Sequence, residues 1–260
     1  MPAVPVSDAA DKPVIETLLL DLDGTLLDWS HLREAIRSTC AGITAAHPHL
    51  ALDPLEIEKV NDAVWDTYWP EVELDWYRGE LDDEELGLEA WRRTFEAFGL
   101  TDDELIRATT DAWHRAERGG HTLFDDVTET LAAAREAGIR LAIVTNGPSG
   151  AQRAKLEALG IDDSFDAVFV SAEVGAAKPD PAIFDFAMAE LDADAETTWH
   201  VGDLLDKDVA GAQAAGIRGV WLNRLGEHVG ADDAVPDLEI SSLRELLPAL
   251  LVPSPTGGHR

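Results

Sequence analysis

Apolar positions follow two different spacings along this chain, and the spacing changes twice. The run VIETLLLD at residues 14–21 is short and largely apolar, which predicts a buried strand. From Trp29 to about Arg118 the apolar positions instead recur every three or four residues, as at Leu32 and Ile36, and this spacing predicts helices only. The first strand is therefore followed by a long helical segment.

After Gly119-Gly120, helical patterns alternate with short apolar runs. The predicted strands are 141–146, 167–171, 198–203 and 219–223, and the predicted helices are 126–137, 149–159, 181–191, 206–215 and a last one near 241–250. Strands that alternate with helices indicate a parallel sheet covered on both faces. The predicted fold class is α/β: a doubly wound parallel-sheet core, residues 1–27 and 120–260, with an inserted all-helical domain at 28–119.

Helix starts and one helix break are predicted within the insertion. Asp53 followed by Pro54 gives an N-cap and a proline at the first helical position. Asp82 and Thr101, each followed by acidic residues, predict two further starts. Pro70 predicts a break or a restart, because proline cannot donate the helical hydrogen bond.

Six of the eight tryptophans lie in the insertion. They are Trp29, Trp65, Trp69, Trp76, Trp91 and Trp113. Packing between the insertion helices is predicted for most of them. As an alternative, one or two could face the active site and contact an apolar or ring-bearing leaving group.

Charge says more about the setting of this protein than about its reaction. Acidic residues outnumber basic residues 51 to 20, which gives a formal net charge of −31. Such a surface repels nucleic acid and anionic lipid, so neither a nucleic acid nor a membrane is expected as a partner. Dense counterions in a salt-rich cytoplasm would screen the repulsion, so the charge indicates a halophilic protein; an acidic surface for a cationic partner is the alternative.

Targeting and redox features are consistent with a cytoplasmic protein. Residues Met1 to Lys12 lack the cationic start and apolar stretch of a secretory signal, and no apolar run approaches the roughly 18 residues of a membrane span. Cys40 is the only cysteine, which excludes an internal disulfide and a thiolate-rich metal site. The histidines fit no metal spacing, and His200, in a strand pattern, is predicted to be a core residue. The chain is expected to be a monomer or a homodimer.

Polar segments follow the predicted core strands at four places. They are Asp21-Leu22-Asp23-Gly24-Thr25, Thr145-Asn146-Gly147, Lys178-Pro179, and Gly202-Asp203 with Asp208. In open α/β sheets, ligands bind beyond the carboxyl ends of the strands. We therefore expect these four segments to converge on one site.

The charges of this predicted site require a cation. Asp21, Asp23 and Asp203 would repel one another at close range. A hard divalent cation with oxygen ligands removes that repulsion, and Mg²⁺ also bridges to substrate phosphate. The cation and Lys178 can neutralise a transferring phosphoryl group. Thr145 and nearby backbone N–H groups can hold phosphate oxygens.

Four sequence motifs resemble those of the haloacid dehalogenase superfamily. They are DLDGT (21–25), VTN (144–146), KP (178–179) and GDLLDKD (202–208), in that order. The insertion after the first motif resembles the C1-type helical cap of that family. TNG followed by Gln152 and Lys155-Leu156 is similar to the branch of N-acylneuraminate-9-phosphatases and pyrimidine nucleotidases. Leu204 and Lys207 stand where the family often has serine and asparagine. These are supporting positions, so this departure affects the hydrogen bonds around the site.

The resemblance implies a role for each motif residue. Asp21 would be the nucleophile that attacks phosphorus, and Asp23 would protonate the leaving alcohol and then activate water. Thr145 would bond to the phosphoryl oxygens, and Lys178 would pair with the phosphate and Asp21. The implied metal ligands are Asp21, Asp23 through its main-chain carbonyl, Asp203 and, in support of the metal shell or of Lys178, Asp208. The implied substrate-binding residues are Gly24, Thr25, Asn146 and Gly147.

Other functions remain open on the same residues. A 2-haloacid dehalogenase would lack an acidic residue at the position of Asp23, and a phosphonatase would use a cap lysine, of which Lys59 is the only one. A phosphomutase shares all the core residues. A phospho-receiver-like signalling domain or a non-catalytic binding protein would depart from the motif order or lose a motif residue. The leading prediction is a Mg²⁺-dependent phosphatase for a small phosphorylated metabolite, such as a nucleoside monophosphate, a sugar phosphate or phosphoglycolate.

Overall fold

A six-stranded parallel sheet forms the centre of the structure. The computed structural model describes residues 14–250, so the prediction made for Met1 to Lys12 lies outside the described residues. The strands are β1 (Thr17–Leu20), β2 (Arg140–Thr145), β3 (Ala167–Val170), β4 (Thr198–Gly202), β5 (Arg218–Leu222) and β6 (Leu238–Ile240). Their order in space is β3-β2-β1-β4-β5-β6, and all neighbouring pairs are parallel. This arrangement is the predicted doubly wound α/β core.

The apolar pattern of the central strands explains why both faces of the sheet are covered. Leu18 and Leu20 of β1 pack in one hydrophobic cluster, whereas Leu19 packs in another. In β2, Ile143 belongs to the first cluster and Val144 to the second. Successive side chains of a strand point to opposite faces, so a continuous apolar run requires helices on both sides.

Helices connect and cover these strands. Their bounds are α1 (Ser30–Ala46), α2 (Pro54–Tyr77), α3 (Asp83–Glu96), α4 (Asp103–Gly119), α5 (Val127–Glu136), α6 (Ser149–Leu159), α7 (Ser171–Val174), α8 (Pro181–Leu191), α9 (Ala210–Ala214) and α10 (Leu247–Leu250). Across residues 14–250, no helix is both long enough and apolar enough to cross a membrane.

The helices α1 to α4 have hydrophobic clusters of their own. Cys40, Ile57, Trp91 and Phe95 are buried together in one cluster, and Tyr68 is buried in a second. All the described members of both clusters come from residues 36–113. This packing is consistent with a separate helical insertion, and the division at positions 28 and 119 stays a prediction.

The predicted helix starts correspond to caps in the structure. The Asp53 carboxylate accepts a hydrogen bond from the backbone N–H of Leu55 (2.9 Å), and Asp82 forms a capping box with Glu85. The third start lies one residue beyond Thr101, because Asp102 provides the capping carboxylate.

The helix α2 continues through Pro70, so the predicted break is wrong. Proline removes only the hydrogen bond to the carbonyl of Asp66, and both residues are exposed to solvent. The Trp69 ring contacts the rings of Trp76 and Tyr77, with centroids 5.5 and 6.0 Å apart. These contacts span the turns after the proline and account for the continuous helix.

Two stretches of the C-terminal half also differ from prediction. The predicted helix 206–215 consists of a π-helical turn (Leu205–Val209) followed by α9, and the last predicted helix begins as a 3₁₀ turn (Leu243–Leu246) before α10. The sequence pattern does not predict β6, because this strand has three residues and only Ile240 is buried.

Candidate active site

Parallel strands bring the predicted site residues to one edge of the sheet. Asp21 follows β1, Thr145 ends β2, and Asp203 follows β4. Leu20 lies opposite Val201 in the neighbouring strand, and the backbone N–H of Asp21 donates to the Val201 carbonyl (3.0 Å). The carboxyl ends of the three strands therefore meet, as predicted for ligand sites in open α/β sheets.

Lys178 is buried between two carboxylates at the centre of the site. Its Nζ lies 2.5 Å from Oδ1 of Asp21 and 2.6 Å from Oδ1 of Asp208. Burial alone would lower the pKa of Lys178, but the charges of Asp208 and Asp21 outweigh burial and raise that pKa. Asn146 fixes the loop that carries this lysine, because its amide donates to the Lys178 carbonyl (2.9 Å) and accepts from the Lys178 N–H (2.8 Å).

Asp208 links Lys178 to the interior of the sheet. Nε2 of His200 lies 2.9 Å from Oδ1 of Asp208, and the backbone N–H of Leu204 donates to Oδ2 (3.0 Å). Burial opposes ionisation of Asp208, but Lys178 and His200 hold its pKa below the ordinary range. His200 is fully buried, as predicted, and burial lowers its pKa. The sequence does not reveal its contact with Asp208.

Asp21, Asp203 and Asp208 form a carboxylate cluster that fits a divalent cation. One oxygen from each lies within 4.8 Å of the other two, and Oδ1 of Asp203 is buried with no hydrogen-bond partner within residues 14–250. Burial raises the pKa of Asp21 to about 7, although Lys178 opposes this change. Burial and the charge of Asp21 raise the pKa of Asp203 to about 8. Oxygen donors that repel one another suit a hard cation such as Mg²⁺.

Two glycines leave the space that these carboxylates occupy. A Cβ atom at Gly24, where φ is +79°, would overlap Oδ2 of Asp203. A Cβ atom at Gly202 would overlap the Asp208 carboxylate. A side chain at either position would displace a carboxylate, so both glycines are required by close approach.

Two side chains of α6 hold the carboxylate of Asp23. Nζ of Lys155 lies 2.8 and 2.9 Å from its two oxygens, and Nε2 of Gln152 donates to Oδ2 (2.8 Å). Gln152 also donates to Oγ1 of Thr145 (2.6 Å). Burial would lower the pKa of Lys155, but the charge of Asp23 raises it. With its carboxylate engaged here, Asp23 can join a metal site only through its main-chain carbonyl.

The sequence motifs do not assign Gln152 or Lys155 to the site. Their spacing was the available signal: they lie three residues apart on one helix, shortly after the Thr145 turn, so both side chains share a face. This signal does not indicate which strand end that face would meet.

The predicted substrate-binding residues make contacts within the protein. The backbone N–H of Gly147 donates to Oγ of Ser171 (2.9 Å), and the Asn146 side chain forms hydrogen bonds with the Lys178 backbone. Thr25 is fully buried, and its carbonyl accepts a hydrogen bond from Arg224 (2.9 Å). These contacts support the loops of the site, and substrate binding by these residues stays a prediction.

A cavity of about 770 Å³ lies between the sheet edge and the helices α1 to α4. Asp21, Asp23, Thr145 and Lys178 line its sheet side. The tryptophans on its helical side are Trp29, Trp65, Trp69, Trp76 and Trp113. More tryptophans therefore line the cavity than the one or two considered from the sequence, and of the six in the insertion only Trp91 is fully buried away from it.

Direct contacts join α2 to the sheet edge beside this cavity. Oγ of Ser171 donates to the Tyr77 carbonyl (2.5 Å), and Nζ of Lys207 lies 3.1 Å from Oε1 of Glu73. A Cβ atom at Gly147 would lie 2.7 Å from the Trp76 ring. The end of α2 is therefore packed against the loops that carry the site.

Residues 15–216 match the family model of haloacid dehalogenase-like hydrolases. The chain belongs to this family of enzymes. Its four motifs and its Rossmann-like sheet are those of a haloacid dehalogenase (HAD) hydrolase, as the sequence predicted.

Several phosphatases are related to this HAD hydrolase. Phosphoserine phosphatase from Thermus thermophilus is 40% identical over 143 residues, which cover 55% of this chain and 57% of that protein. N-acylneuraminate-9-phosphatase from Homo sapiens is 36% identical over 154 residues (59% and 61%), and pyrimidine 5'-nucleotidase YjjG from Escherichia coli is 38% identical over 109 residues (41% and 48%). The predicted similarity to these two is confirmed. The matches span about half to three fifths of each relative.

A solved HAD hydrolase has the same fold. YfnB from Bacillus subtilis, determined with bound magnesium, superimposes with a TM-score of 0.68 over 92% of this chain and 100% of that chain. The two sequences are 24% identical, so this likeness supports the fold alone.

Proposed function

We propose that this HAD hydrolase is a Mg²⁺-dependent phosphatase that hydrolyses a small phosphomonoester through a phosphoryl group carried on Asp21. The observation that carries the proposal is the buried contact of Asp21 with Lys178, 2.5 Å long, beside a cluster of carboxylates. A carboxylate fixed next to a cation, with a second carboxylate at Asp23, is suited to nucleophilic attack and proton transfer. The named phosphatases among the relatives support this reaction.

In the first step, a carboxylate oxygen of Asp21 attacks phosphorus, and the bond from phosphorus to the ester oxygen breaks. Asp23 donates its proton to that oxygen, which leaves as an alcohol. Lys178 and Thr145 hold the phosphoryl oxygens and offset their charge.

In the second step, Asp23 is a carboxylate and takes a proton from a water molecule. The water oxygen attacks phosphorus, and the bond from phosphorus to Asp21 breaks. Inorganic phosphate leaves, Asp21 is again a carboxylate, and Asp23 is again protonated. Lys155 and Gln152 contact Asp23 as a carboxylate, which is the form that takes the proton in this step.

Asp21, Asp203, Asp208 and the main-chain carbonyl of Asp23 would hold the Mg²⁺ ion. When bound, Mg²⁺ supplies positive charge that neutralises the carboxylates and the phosphoryl oxygens. Asp208 has a second task, because its contact with Lys178 orients the lysine towards Asp21.

The cavity sets the size of the proposed substrate. Its volume of about 770 Å³ suits a small phosphorylated metabolite. The charge of −31 leads us to propose a salt-rich cytoplasm as the setting, with neither nucleic acid nor membrane as a partner. A monomer or a homodimer would serve this reaction.

Phosphate release from a panel of small phosphomonoesters at high KCl tests the proposal. We expect turnover that requires Mg²⁺, and Asp21→Asn should reduce it by more than about 10³-fold because the nucleophile is lost. Asp206→Asn, an exposed acidic residue near the site, is the matched control and should retain activity.

Chloroacetate provides the competing result. Halide release that depends on Asp21, without phosphate release from any ester, would replace the phosphatase by a dehalogenase. Exchange of phosphoryl groups between sugar phosphates without net hydrolysis would replace it by a mutase.

A further inference from the structure

A second cluster of residues that could bind a metal ion lies away from the strand ends. His31 is in the first turn of α1, Glu117 is in the last turn of α4, and His121 follows two residues after that helix. One ligand atom from each residue lies within 4.8 Å of the other two. The cluster therefore lies where the chain leaves the sheet for the helical segment and where it returns.

The His31 ring has one nitrogen that can bind a metal. Its Nδ1 lies 2.6 Å from the carbonyl oxygen of Asp28, and because a carbonyl only accepts, Nδ1 carries the proton. In the neutral ring Nε2 then presents its lone pair, and Nε2 is buried with no partner in the described part of the chain. A metal-binding histidine characteristically donates its other N–H to a carbonyl or carboxylate.

His121 is the second buried imidazole. Only 6% of its side chain is exposed, and its Nε2 lies 2.8 Å from Oε1 of Glu117. Its Nδ1 is also buried without a partner among residues 14–250. The two imidazole rings are edge to face, with centroids 5.1 Å apart. Two buried imidazole nitrogens without partners are costly for a purely structural contact.

The donor set selects the class of ion. Two imidazole nitrogens and one carboxylate oxygen suit a borderline divalent ion such as Zn²⁺, whereas Mg²⁺ prefers oxygen ligands. Bonds of about 2.0–2.1 Å place the ligands of a tetrahedral site roughly 3.3 Å apart. The three ligand atoms, which lie within 4.8 Å of one another, would therefore move closer together when an ion binds. Glu117 also lines the cavity above the active site, which gives an ion a path from solvent.

We propose that His31, Glu117 and His121 bind a Zn²⁺-class divalent ion that joins the two chain crossings between the sheet and the helical segment. These crossings are already paired, because the backbone N–H of Asp28 donates to the Thr122 carbonyl (2.9 Å). Gly120 permits their close approach, since a Cβ atom there would lie 2.9 Å from Cβ of His31. This proposal departs from the sequence-based prediction that the histidines fit no metal spacing, because His31 lies far in sequence from Glu117 and His121 and the fold brings the three residues together.

Cobalt binding to the full chain without an affinity tag tests this site. The protein is treated with a chelator, saturated with Mg²⁺ to occupy the carboxylate cluster, and titrated with Co²⁺. We expect one equivalent of Co²⁺ to produce visible absorption bands of a four- or five-coordinate site, and Zn²⁺ to remove them. Absence of bands in the unmodified protein would overturn the proposal.

Variants locate the bound ion. His31→Gln and His121→Gln should each weaken Co²⁺ binding by at least about 10-fold. The double variant His47→Gln/His49→Gln is the matched control, because these two rings are also neighbours, with centroids 5.8 Å apart, and it should bind Co²⁺ normally. Bands that survive loss of His31 and His121, or that disappear in Asp203→Asn, would contradict the proposed site.

Thermal unfolding gives a result that does not depend on the histidine variants folding. With Mg²⁺ in excess, added Zn²⁺ should raise the Tm of the unmodified protein, because an ion that binds only the folded state stabilises it. The rise should be absent in Glu117→Gln with an unchanged circular dichroism spectrum. A Tm that Zn²⁺ does not raise would contradict the proposal.

Discussion

Nζ of Lys155 lies 2.8 and 2.9 Å from the two carboxylate oxygens of Asp23, so a half-buried ammonium pairs with the group that we propose as general acid and base. Gln152 donates a third hydrogen bond to the same carboxylate. The position of the Asp23 carboxylate therefore depends on two side chains of α6, which lies outside the first motif. This arrangement predicts that Lys155 affects proton transfer by Asp23 more than it affects the attack of Asp21 on phosphorus.

Replacement of Lys155 should lower kcat more for esters with poor leaving groups than for esters with good ones. An alkyl oxygen must be protonated as it leaves, whereas 4-nitrophenolate leaves without a proton. For Lys155→Met we expect kcat to fall about 100-fold with an alkyl phosphate and less than about 10-fold with 4-nitrophenyl phosphate. Steady-state kinetics with both esters measure the difference, and the exposed Lys59→Met is the control. Equal losses on the two esters would exclude this positioning role.

Removal of Lys178 should lower stability as well as activity. Its ammonium is buried between Asp21 and Asp208, and loss of one partner leaves buried carboxylates without compensation. We expect Lys178→Met to lower the free energy of unfolding by about 3 kcal/mol in metal-free protein. Urea unfolding at high KCl measures this value. Lys207→Met, which removes a more exposed pair with Glu73, should cost about 1 kcal/mol or less, and similar losses in both variants would refute the prediction.

Asp126 and its neighbour Asp125 should differ sharply in their effect on stability. Asp126 is fully buried and accepts hydrogen bonds from Arg224 (2.9 Å twice), Ser242 (2.7 Å) and the Leu243 N–H (2.8 Å). Burial would raise the pKa of Asp126, but these donors hold it below its ordinary value. Asp126→Ala should therefore lower the free energy of unfolding by about 3 kcal/mol at pH 7.

The pH dependence of this difference follows from the sign of the shift. A carboxyl group with a lowered folded pKa stabilises the fold above its unfolded pKa, near 4, and loses that effect as the pH falls through the folded value. The cost of Asp126→Ala should accordingly shrink below about pH 4. The exposed Asp125→Ala should cost less than about 1 kcal/mol at every pH. Unfolding curves at pH 7 and pH 3 provide the comparison, and a cost that grows in acid would be contrary to this account.

Binding of Mg²⁺ should strengthen as the pH rises. In the metal-free protein the pKa values of Asp21 and Asp203 are about 7 and 8, so both carboxyl groups hold protons at pH 6. An ion must displace those protons, whereas at pH 8.5 the carboxylates are largely ionised. We expect the Kd for Mg²⁺ to fall at least about 10-fold between pH 6 and pH 8.5. Calorimetric titration at constant KCl measures it, and a Kd independent of pH would argue against this ligand set.

The sequence predicts the sheet and the main site because both depend on local patterns. Apolar strands alternate with helices, and the four motifs follow strand ends, so Asp21, Lys178 and Asp203 converge as expected. In contrast, β6 is too short to give a pattern. The continuity of α2 at Pro70 depends on aromatic contacts beyond the proline, which helix propensity does not describe.

Contacts between side chains that are far apart in sequence are not predicted by the sequence pattern. Lys155 reaches Asp23 only because α6 packs beside the first strand end, and His31 reaches His121 only because the two chain crossings are adjacent. The tryptophans of the insertion contact one another and also face the cavity, because the helices α1 to α4 leave an open side towards the sheet. Helical spacing assigns a residue to a face, and the fold decides what that face contacts.

Acid quenching during turnover, followed by peptide mass spectrometry, tests the central claim most directly. With Mg²⁺ and an ester that the phosphate-release panel identifies, we predict a phosphoryl group on the peptide that carries Asp21. With 4-nitrophenyl phosphate, whose leaving group needs no proton, Asp23→Asn should increase the amount of phosphorylated peptide, because that variant cannot activate water for the second step. Phosphate release without any phosphoryl group on Asp21, or with the group on another residue, would contradict the proposed mechanism.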